Sequence, residues 1–232
     1  MKADFARVVF LDRDTMPADI SLRPFAFPHE LTEFGATNPD QVAERIADAD
    51  IVITNKSPVR LAELTSAPAL RLIAIAATGS DVVDIKACAD RGICVCNIRG
   101  YAVNTVPEHT FALILALRRS LTAYRDSVRA GRWAEAGQFC YFDHPINDLS
   151  GATLGIIGDG AVADIGRTFG MRTLFSSYKG VSGMGPLYTP FEDVIRQSDV
   201  ITLHAPLMPQ TRNMIAASEF ACLLYTSDAA DE

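Results

Sequence analysis

The chain has 232 residues, of which 49% are hydrophobic and 21% charged, a balance typical of a globular protein. Its formal net charge is −7 and its basic residues are scattered, which argues against a nucleic-acid surface, because phosphate binding needs clustered Lys and Arg. No apolar run approaches the ~20 residues that span a bilayer, and the N-terminus lacks a signal-peptide pattern, so we expect a cytoplasmic protein without membrane contact.

The first hundred residues alternate between short apolar runs and stretches of helical periodicity. The expected strands are Val8–Leu11, Ile51–Thr54, Leu72–Ala76 and Ile93–Asn97. The expected helices are Asp40–Ala49, Val59–Ala67 and Asp81–Arg91. Because several of these strands are apolar throughout, the alternation indicates a parallel sheet covered by helices on both faces.

The cysteines follow no recognisable metal or disulfide spacing, so we expect no metal site. Cys94 and Cys96 alternate on one side of an expected strand. We predict that both are buried and act as small hydrophobic side chains of a reduced protein.

One long helix is predicted next, from Asn104 to about Arg129, with Pro107 near its start and Gly131 at its end. A loop over Arg132–Asp148 follows, and the strand–helix alternation then resumes. Its strands are expected at Thr153–Ile157, Thr173–Ser176 and Val200–Leu203, and its helices at Val162–Phe169 and Phe191–Gln197. The predicted class is α/β, with two Rossmann- or flavodoxin-like parallel-sheet domains, the second of them incomplete.

A glycine-rich turn follows the expected strand Thr153–Ile157. Gly158 permits a tight turn, Gly160 would let a pyrophosphate approach the backbone, and the N–H groups at Ala161 and Val162 would attract phosphate. This pattern predicts a dinucleotide site, although a strand–helix turn without a ligand has similar glycines.

The end of the next strand bears on the choice of cofactor. Where an acid would bind the adenosine ribose, the sequence has Ser176, Ser177, Tyr178 and Lys179. The missing acid weakens a preference for NAD, and Lys179 could neutralise a 2′-phosphate. We expect NAD or NADP, and the sequence leaves both open.

Several further stretches occur in a characteristic order. They are Ala77–Asp84, Arg91–Asn97, Gly100–Tyr101, Val106–Thr110, Ser198–Leu207 and Thr211–Ile215. With the glycine-rich turn they resemble the D-isomer-specific 2-hydroxyacid dehydrogenases, especially the glycerate dehydrogenase and hydroxypyruvate reductase group. The resemblance implies an NAD(P)-dependent oxidoreductase that acts on the CH–OH group of a small 2-hydroxy acid. It also implies a cytoplasmic homodimer in the full-length parent.

The resemblance divides the chain into a substrate domain (residues 1–100), an incomplete NAD(P)-binding domain (residues 101–221) and a non-native tail (residues 222–232). It places the substrate beside Asn55, Lys56, Gly79 and Ser80, although Lys56 also fits a solvated loop lysine. It places the cofactor beside Thr78, Thr105, Gly158, Gly160, Ala161, Val162, Ser177, Ala205, Pro206 and Thr211.

Two departures from the family pattern stand out. The glycine-rich helix ends about one helical turn early, so Ala163 is either a substitute for a third glycine or a residue of the next turn. The catalytic Arg, Glu and His of the family would lie beyond the end of this chain. We therefore assign no catalytic residue, expect no turnover, and interpret His109 and His204 as structural.

Two alternatives remain open from the sequence. One is a cofactor-binding module without turnover, such as a corepressor-like pseudoenzyme. The other is a fragment that does not fold stably.

Overall fold

The computed structural model describes residues 5–158 and 161–222, and it divides into two compact units between Tyr101 and Ala102. In the described part of each unit, every pair of neighbouring strands is parallel. The α/β class with two parallel sheets, which the sequence predicted, is therefore confirmed.

The first unit contains a five-stranded sheet in the order β2-β1-β3-β4-β5. Its strands are β1 (Ala6–Phe10), β2 (His29–Glu33), β3 (Ile51–Thr54), β4 (Leu72–Ile75) and β5 (Cys94–Asn97). Its helices are α1 (Val42–Ile46), α2 (Leu61–Thr65) and α3 (Ile85–Asp90), with 3₁₀ turns at Arg13–Thr15 and Pro39–Gln41. This is the flavodoxin-like order, in which the sheet reverses direction of growth between β1 and β3.

The core of this unit forms where the helices cover the sheet. Val52 and Ile73 of the central strands are fully buried, together with Ile46 of α1 and Leu64 of α2. Burial of each such side chain contributes about 1.5–3 kcal/mol. This core stabilises the sheet, and the polar residues lie in the loops at its carboxyl edge.

The second unit contains a four-stranded sheet in the order β8-β7-β6-β9. Its strands are β6 (Thr153–Ile157), β7 (Arg172–Ser176), β8 (Tyr188–Thr189) and β9 (Val200–Leu203). Its helices are α4 (Thr105–Arg118), α5 (Leu121–Arg129), α6 (Arg132–Ala136), α7 (Val162–Thr168), α8 (Phe191–Gln197) and α9 (Ala217–Phe220). These strands follow the first four positions of the Rossmann order 3-2-1-4, with the reversal between β6 and β9.

The prediction of one helix from Asn104 to Arg129 is wrong, because the chain breaks at Ser120. Ser120 has a left-handed φ of +47°, and its hydroxyl donates to the carbonyl of Pro145 at 2.6 Å. The carbonyl of Arg118 accepts from the N–H of Asn147 at 2.8 Å. The returning segment thus supplies partners at the break, and the predicted loop itself begins with the short helix α6.

The prediction that Cys94 and Cys96 are buried is also wrong. Both are exposed on β5, an edge strand, and their sulfur atoms lie 3.8 Å apart. Neighbouring side chains of a strand point to opposite faces, and here Val95 is the one that packs against the core. Cys88 of α3, in contrast, is fully buried.

Candidate functional site

The reversal point of the first sheet is occupied by a buried carboxylate. Asp12 lies two residues beyond the apolar end of β1 and is only 3% exposed. Its oxygens accept the backbone N–H groups of the loop after β3: Asn55 at 2.9 Å, Lys56 at 2.6 Å and Ser57 at 2.7 Å. The hydroxyl of Thr54 lies 3.3 Å from the same carboxylate. One side chain therefore fixes the shape of this loop.

This loop carries two of the residues predicted to face the substrate. Asn55 is half-buried, whereas Lys56 is exposed and makes no ion pair with any residue that the structure describes. Because Asp12 uses the backbone N–H groups, the polar groups left for a ligand are the side chains of Asn55 and Lys56. The sequence reasoning missed Asp12, although an aspartate immediately after an apolar strand was a usable signal.

The loop after β4 carries the other two predicted substrate residues, Gly79 and Ser80. β3 and β4 are neighbours, with Thr54 opposite Ile75, so the loops after both strands meet at one edge of the sheet. The side chain of Asn97 holds this loop by donating to the carbonyl of Thr78 at 2.7 Å. No residue in the described ranges accepts a hydrogen bond from the N–H of Gly79 or Ser80. The structure thus brings the four predicted substrate residues to one edge.

Gly158 marks the reversal point of the second sheet. Its φ is +100°, a region that favours glycine, and a Cβ atom at this position would lie 2.7 Å from the backbone nitrogen of Ala205. The turn after β6 therefore touches the end of β9, and two predicted cofactor residues meet. Gly160, also predicted to bind the cofactor, lies outside the described residues.

The helix after this turn, α7, is short and packs tightly on the sheet. Ala161 precedes it and is exposed, whereas Val162 and Ala163 are buried in the core, so Val162 could offer a ligand only its backbone. A Cβ atom on Gly166 would lie 3.0 Å from Leu154 and 3.3 Å from Thr173. Gly166 therefore provides the close helix–strand packing for which the dinucleotide fingerprint normally uses its third glycine.

The remaining predicted cofactor residues differ in how free their side chains are. The hydroxyl of Thr211 donates to the carbonyl of Pro206 at 2.5 Å and accepts from Met208 N–H at 2.8 Å, so it closes the loop after β9. Thr105 is exposed at the start of α4, in the second unit, while Thr78 belongs to the first.

At the end of β7, the structure differs from the expectation that Lys179 is free to bind a phosphate. Ser177 is 5% exposed, and its hydroxyl oxygen has no hydrogen-bond partner among the residues described. Lys179, expected to be available for a phosphate, pairs with Glu219 of α9, and Nζ lies 2.5 Å from Oε1.

Glu219 was not singled out by the sequence reasoning because it lies 40 residues from its partner. It is 7% exposed and also accepts hydrogen bonds from Ser218 Oγ and Ala216 N–H, each at 2.9 Å. The hydrogen bond from Lys179, followed by that from Ser218, lowers the pKa of Glu219 to about 2. The carboxylate is therefore charged at neutral pH and holds the lysine.

His109 and His204, the two histidines interpreted as structural from the sequence, lie in different environments. His204 Nε2 lies 2.7 Å from the hydroxyl of Thr202, and burial lowers the pKa of His204 below its usual value, so it is neutral at pH 7. His109 is exposed on α4. Among the residues described, no histidine forms an ion pair with a carboxylate, and no group of three or more His, Cys, Asp or Glu residues could hold a metal ion.

No helix within the described ranges is long and apolar enough to cross a membrane.

The chain is similar to known sequences over most of its length. The sequence model of the NAD binding domain of the D-isomer specific 2-hydroxyacid dehydrogenases matches residues 111–226. A glycerate dehydrogenase from Methylorubrum extorquens is 48% identical over 218 residues, which are 92% of this chain and 68% of that protein. A hydroxypyruvate reductase from Blautia hydrogenotrophica is 33% identical over 192 residues, which are 80% of this chain and 60% of that protein.

Comparison with solved structures gives the same architecture. A D-lactate dehydrogenase from Aquifex aeolicus, solved with NAD and lactic acid, aligns with a TM-score of 0.74 and 26% identity over 93% of this chain and 66% of that one. An acyclic imino acid reductase, solved with NADPH and D-Arg, aligns with a TM-score of 0.72, and at 20% identity it supports the fold alone. This alignment covers 94% of this chain and 71% of the reductase.

Proposed function

Because the chain belongs to the family of D-isomer-specific 2-hydroxyacid dehydrogenases, as its motifs predicted, we propose that it comes from a hydroxypyruvate or glyoxylate reductase. The family consists of oxidoreductases, and residues 111–226 match its NAD-binding domain. Relatives named glycerate dehydrogenase, hydroxypyruvate reductase and glyoxylate reductase support this choice of substrate class.

The contact between Gly158 and Ala205 carries the cofactor part of this proposal. Both residues lie at the carboxyl ends of parallel strands, at the reversal point where open α/β sheets bind their ligands. The absence of a Cβ at Gly158 lets the turn after β6 pack directly against the backbone of His204 and Ala205. Ser177, directly after β7, has a buried hydroxyl without a hydrogen-bond partner among the described residues. A bound nicotinamide supplies or accepts the hydride, while these residues hold and orient the dinucleotide.

The loops after β3 and β4 support the part of the proposal that concerns the substrate. A small 2-keto acid presents a carboxylate, which suits the cation of Lys56 and the uncommitted N–H groups of Gly79 and Ser80. The amide of Asn55 adds a neutral hydrogen-bonding group to the same edge. We propose that these four residues bind the carboxylate end of the substrate.

We also propose that the 232-residue chain binds its ligands without turnover. Reduction of a keto acid needs a group that delivers a proton to the developing alkoxide. In the described part of the chain, no histidine is paired with a carboxylate for this task, and His204 is neutral and bonded to Thr202. Steady-state oxidation of NADH with hydroxypyruvate and with glyoxylate tests this point, and a robust rate from the purified chain contradicts it.

A cofactor-binding experiment tests the main proposal. Gly158→Ala introduces a Cβ 2.7 Å from Ala205 N and strains the backbone, so we expect NADH affinity to fall by at least about tenfold, ~1.4 kcal/mol. Gly137→Ala is the matched control, because Gly137 also has a positive φ, +63°, but has open space around it. Calorimetric titration measures both variants. Equal NADH affinity in the two variants contradicts a cofactor at this turn.

An exposed aromatic segment supports homodimer formation by the full-length parent. Trp133 of α6 is 52% exposed, and Phe139 and Phe142, which follow it, are 88% and 85% exposed. Large exposed aromatic side chains on one segment are typical of a protein–protein interface. We propose that this segment contacts a second copy. Light scattering on the double variant Phe139→Ser/Phe142→Ser should show a monomer if this is right, and an unchanged dimer if it is wrong.

A further inference from the structure

A cavity of about 470 Å³ lies beside the carboxyl end of β7 in the second unit. The loop from Gly180 to Gly185 lines it, together with Phe191 and Glu192 of α8. Ser177 lines it too, and the hydroxyl of Ser177 is one of three buried side-chain polar groups without a hydrogen-bond partner among the described residues. Because an unpaired buried hydroxyl is costly, a ligand that offers it a hydrogen bond gains affinity here.

The charges around this cavity do not favour a phosphate. Glu192, an acid, is the only charged residue among the described residues that line it. Lys179 is the cation next to the lining loop, and its ammonium is held between Glu219, at 2.5 Å, and the ring of Phe191, at 6.0 Å. The carboxylate and the ammonium cancel each other, so the pair offers no net positive charge to a ligand.

Recruiting Lys179 to a ligand would break this pair. Glu219 is 7% exposed, and removal of its cation would leave a buried carboxylate uncompensated, which is strongly unfavourable. The low pKa of Glu219, about 2, agrees with its tight hold on the lysine. A phosphate monoester brings a charge of about −2 and therefore needs a cation that is free to approach it.

We propose that this site selects NAD over NADP, because Ser177 hydrogen-bonds a ribose hydroxyl of the adenosine while Glu219 withholds Lys179 from a 2′-phosphate. The inference rests on the proposed cofactor function and adds the form of the dinucleotide. It assigns Glu219 as a positioning residue that acts through Lys179, and Ser177 as the residue that contacts the cofactor.

Calorimetric titration of the 232-residue chain with NAD⁺ and NADP⁺ tests the proposal. We expect the wild type to bind NAD⁺ at least about tenfold more tightly. Glu219→Gln frees Lys179 for a charge-assisted hydrogen bond and should shrink this preference by about tenfold, mainly by improving NADP⁺ affinity. The double variant Lys179→Met/Glu219→Gln removes both charges and should keep the wild-type preference, while Ser177→Ala should weaken NAD⁺ binding. Circular-dichroism melting checks that each variant is folded.

The outcomes separate this inference from the function on which it rests. If the wild type binds both dinucleotides equally well, or prefers NADP⁺, the inference is wrong and the cofactor function stands. An unchanged preference in a folded Glu219→Gln variant also overturns the role of Glu219. If neither dinucleotide binds, the cofactor function fails, and the inference fails with it.

Discussion

Replacing Asp12 should loosen the loop after β3 more than its single side chain suggests. The carboxylate accepts the N–H groups of Asn55, Lys56 and Ser57, and only that of Ser57 is fully shielded from water. An unpaired buried donor costs about 1–3 kcal/mol, and a partly solvated one about 0.5–1.5 kcal/mol. Removing the carboxylate with Asp12→Ala should therefore destabilise the loop by about 4 kcal/mol.

Asp12→Asn is the more informative variant because it keeps one acceptor oxygen and the shape of the side chain. Its amide NH₂ group faces backbone donors, so we expect a cost of about 2 kcal/mol, which corresponds to a roughly thirty-fold faster amide exchange over residues 55–57. Hydrogen–deuterium exchange read by mass spectrometry measures this directly. Asp14→Asn is the control, because Asp14 lies two positions away and is exposed.

The same variant connects loop shape to ligand binding. We expect Asp12→Asn to weaken the binding of oxalate, a carboxylate probe, and to leave NAD⁺ binding unchanged. Lys56→Met should weaken oxalate binding without faster exchange, because the hydrogen bonds to Asp12 use the backbone of the loop. Equal exchange over residues 55–57 in Asp12→Asn and Asp14→Asn would contradict the role of Asp12 in holding this loop.

Two other features give predictions of their own. The pKa of Glu219 lies near 2, below its ordinary value of 4.5, so its stabilising contact with Lys179 is complete above about pH 4.5 and is lost as the pH falls toward 2. Melting temperatures measured from pH 7 to pH 3 should fall more for the wild type than for Glu219→Gln, and parallel curves contradict this. Cys94 and Cys96 are exposed whereas Cys88 is buried, so a thiol reagent should label the first two in the folded chain and Cys88 only after unfolding. Peptide mapping of the labelled sites measures this, and early labelling of Cys88 contradicts the burial.

The sequence predicted the buried part of the fold well because local composition reports burial on both faces. β3 and β6 have the predicted bounds, since continuous apolar runs occur where helices cover both sides of a sheet. β2 was missed because its sequence, His-Glu-Leu-Thr-Glu over His29–Glu33, is mostly polar, as suits an edge strand. The break at Ser120 was missed because its partners lie about 25 residues further along the chain.

The candidate site was predictable only where a motif carries its own chemistry. Gly158 could be identified because its conformational role is written in the local strand–turn–helix pattern. Asp12 and Glu219 could not be assigned in that way, because each acts on a partner about 40 residues away. Lys179 is an example. From the local sequence it is a candidate phosphate ligand, but in the structure its ammonium is paired with Glu219 and is not free to bind phosphate.

The position of β9 has a consequence for the handling of this chain. β9 pairs with β6 on one side, and none of the described strands pairs with its other side. Among the described residues its outer side has no strand partner, and Leu203 on it is 54% exposed. Such an edge recruits strands from other molecules, so the purified chain should aggregate at high concentration. Because this association runs through the backbone, substitutions in the aromatic segment after α6 should not prevent it, whereas a proline within Val200–Leu203 should.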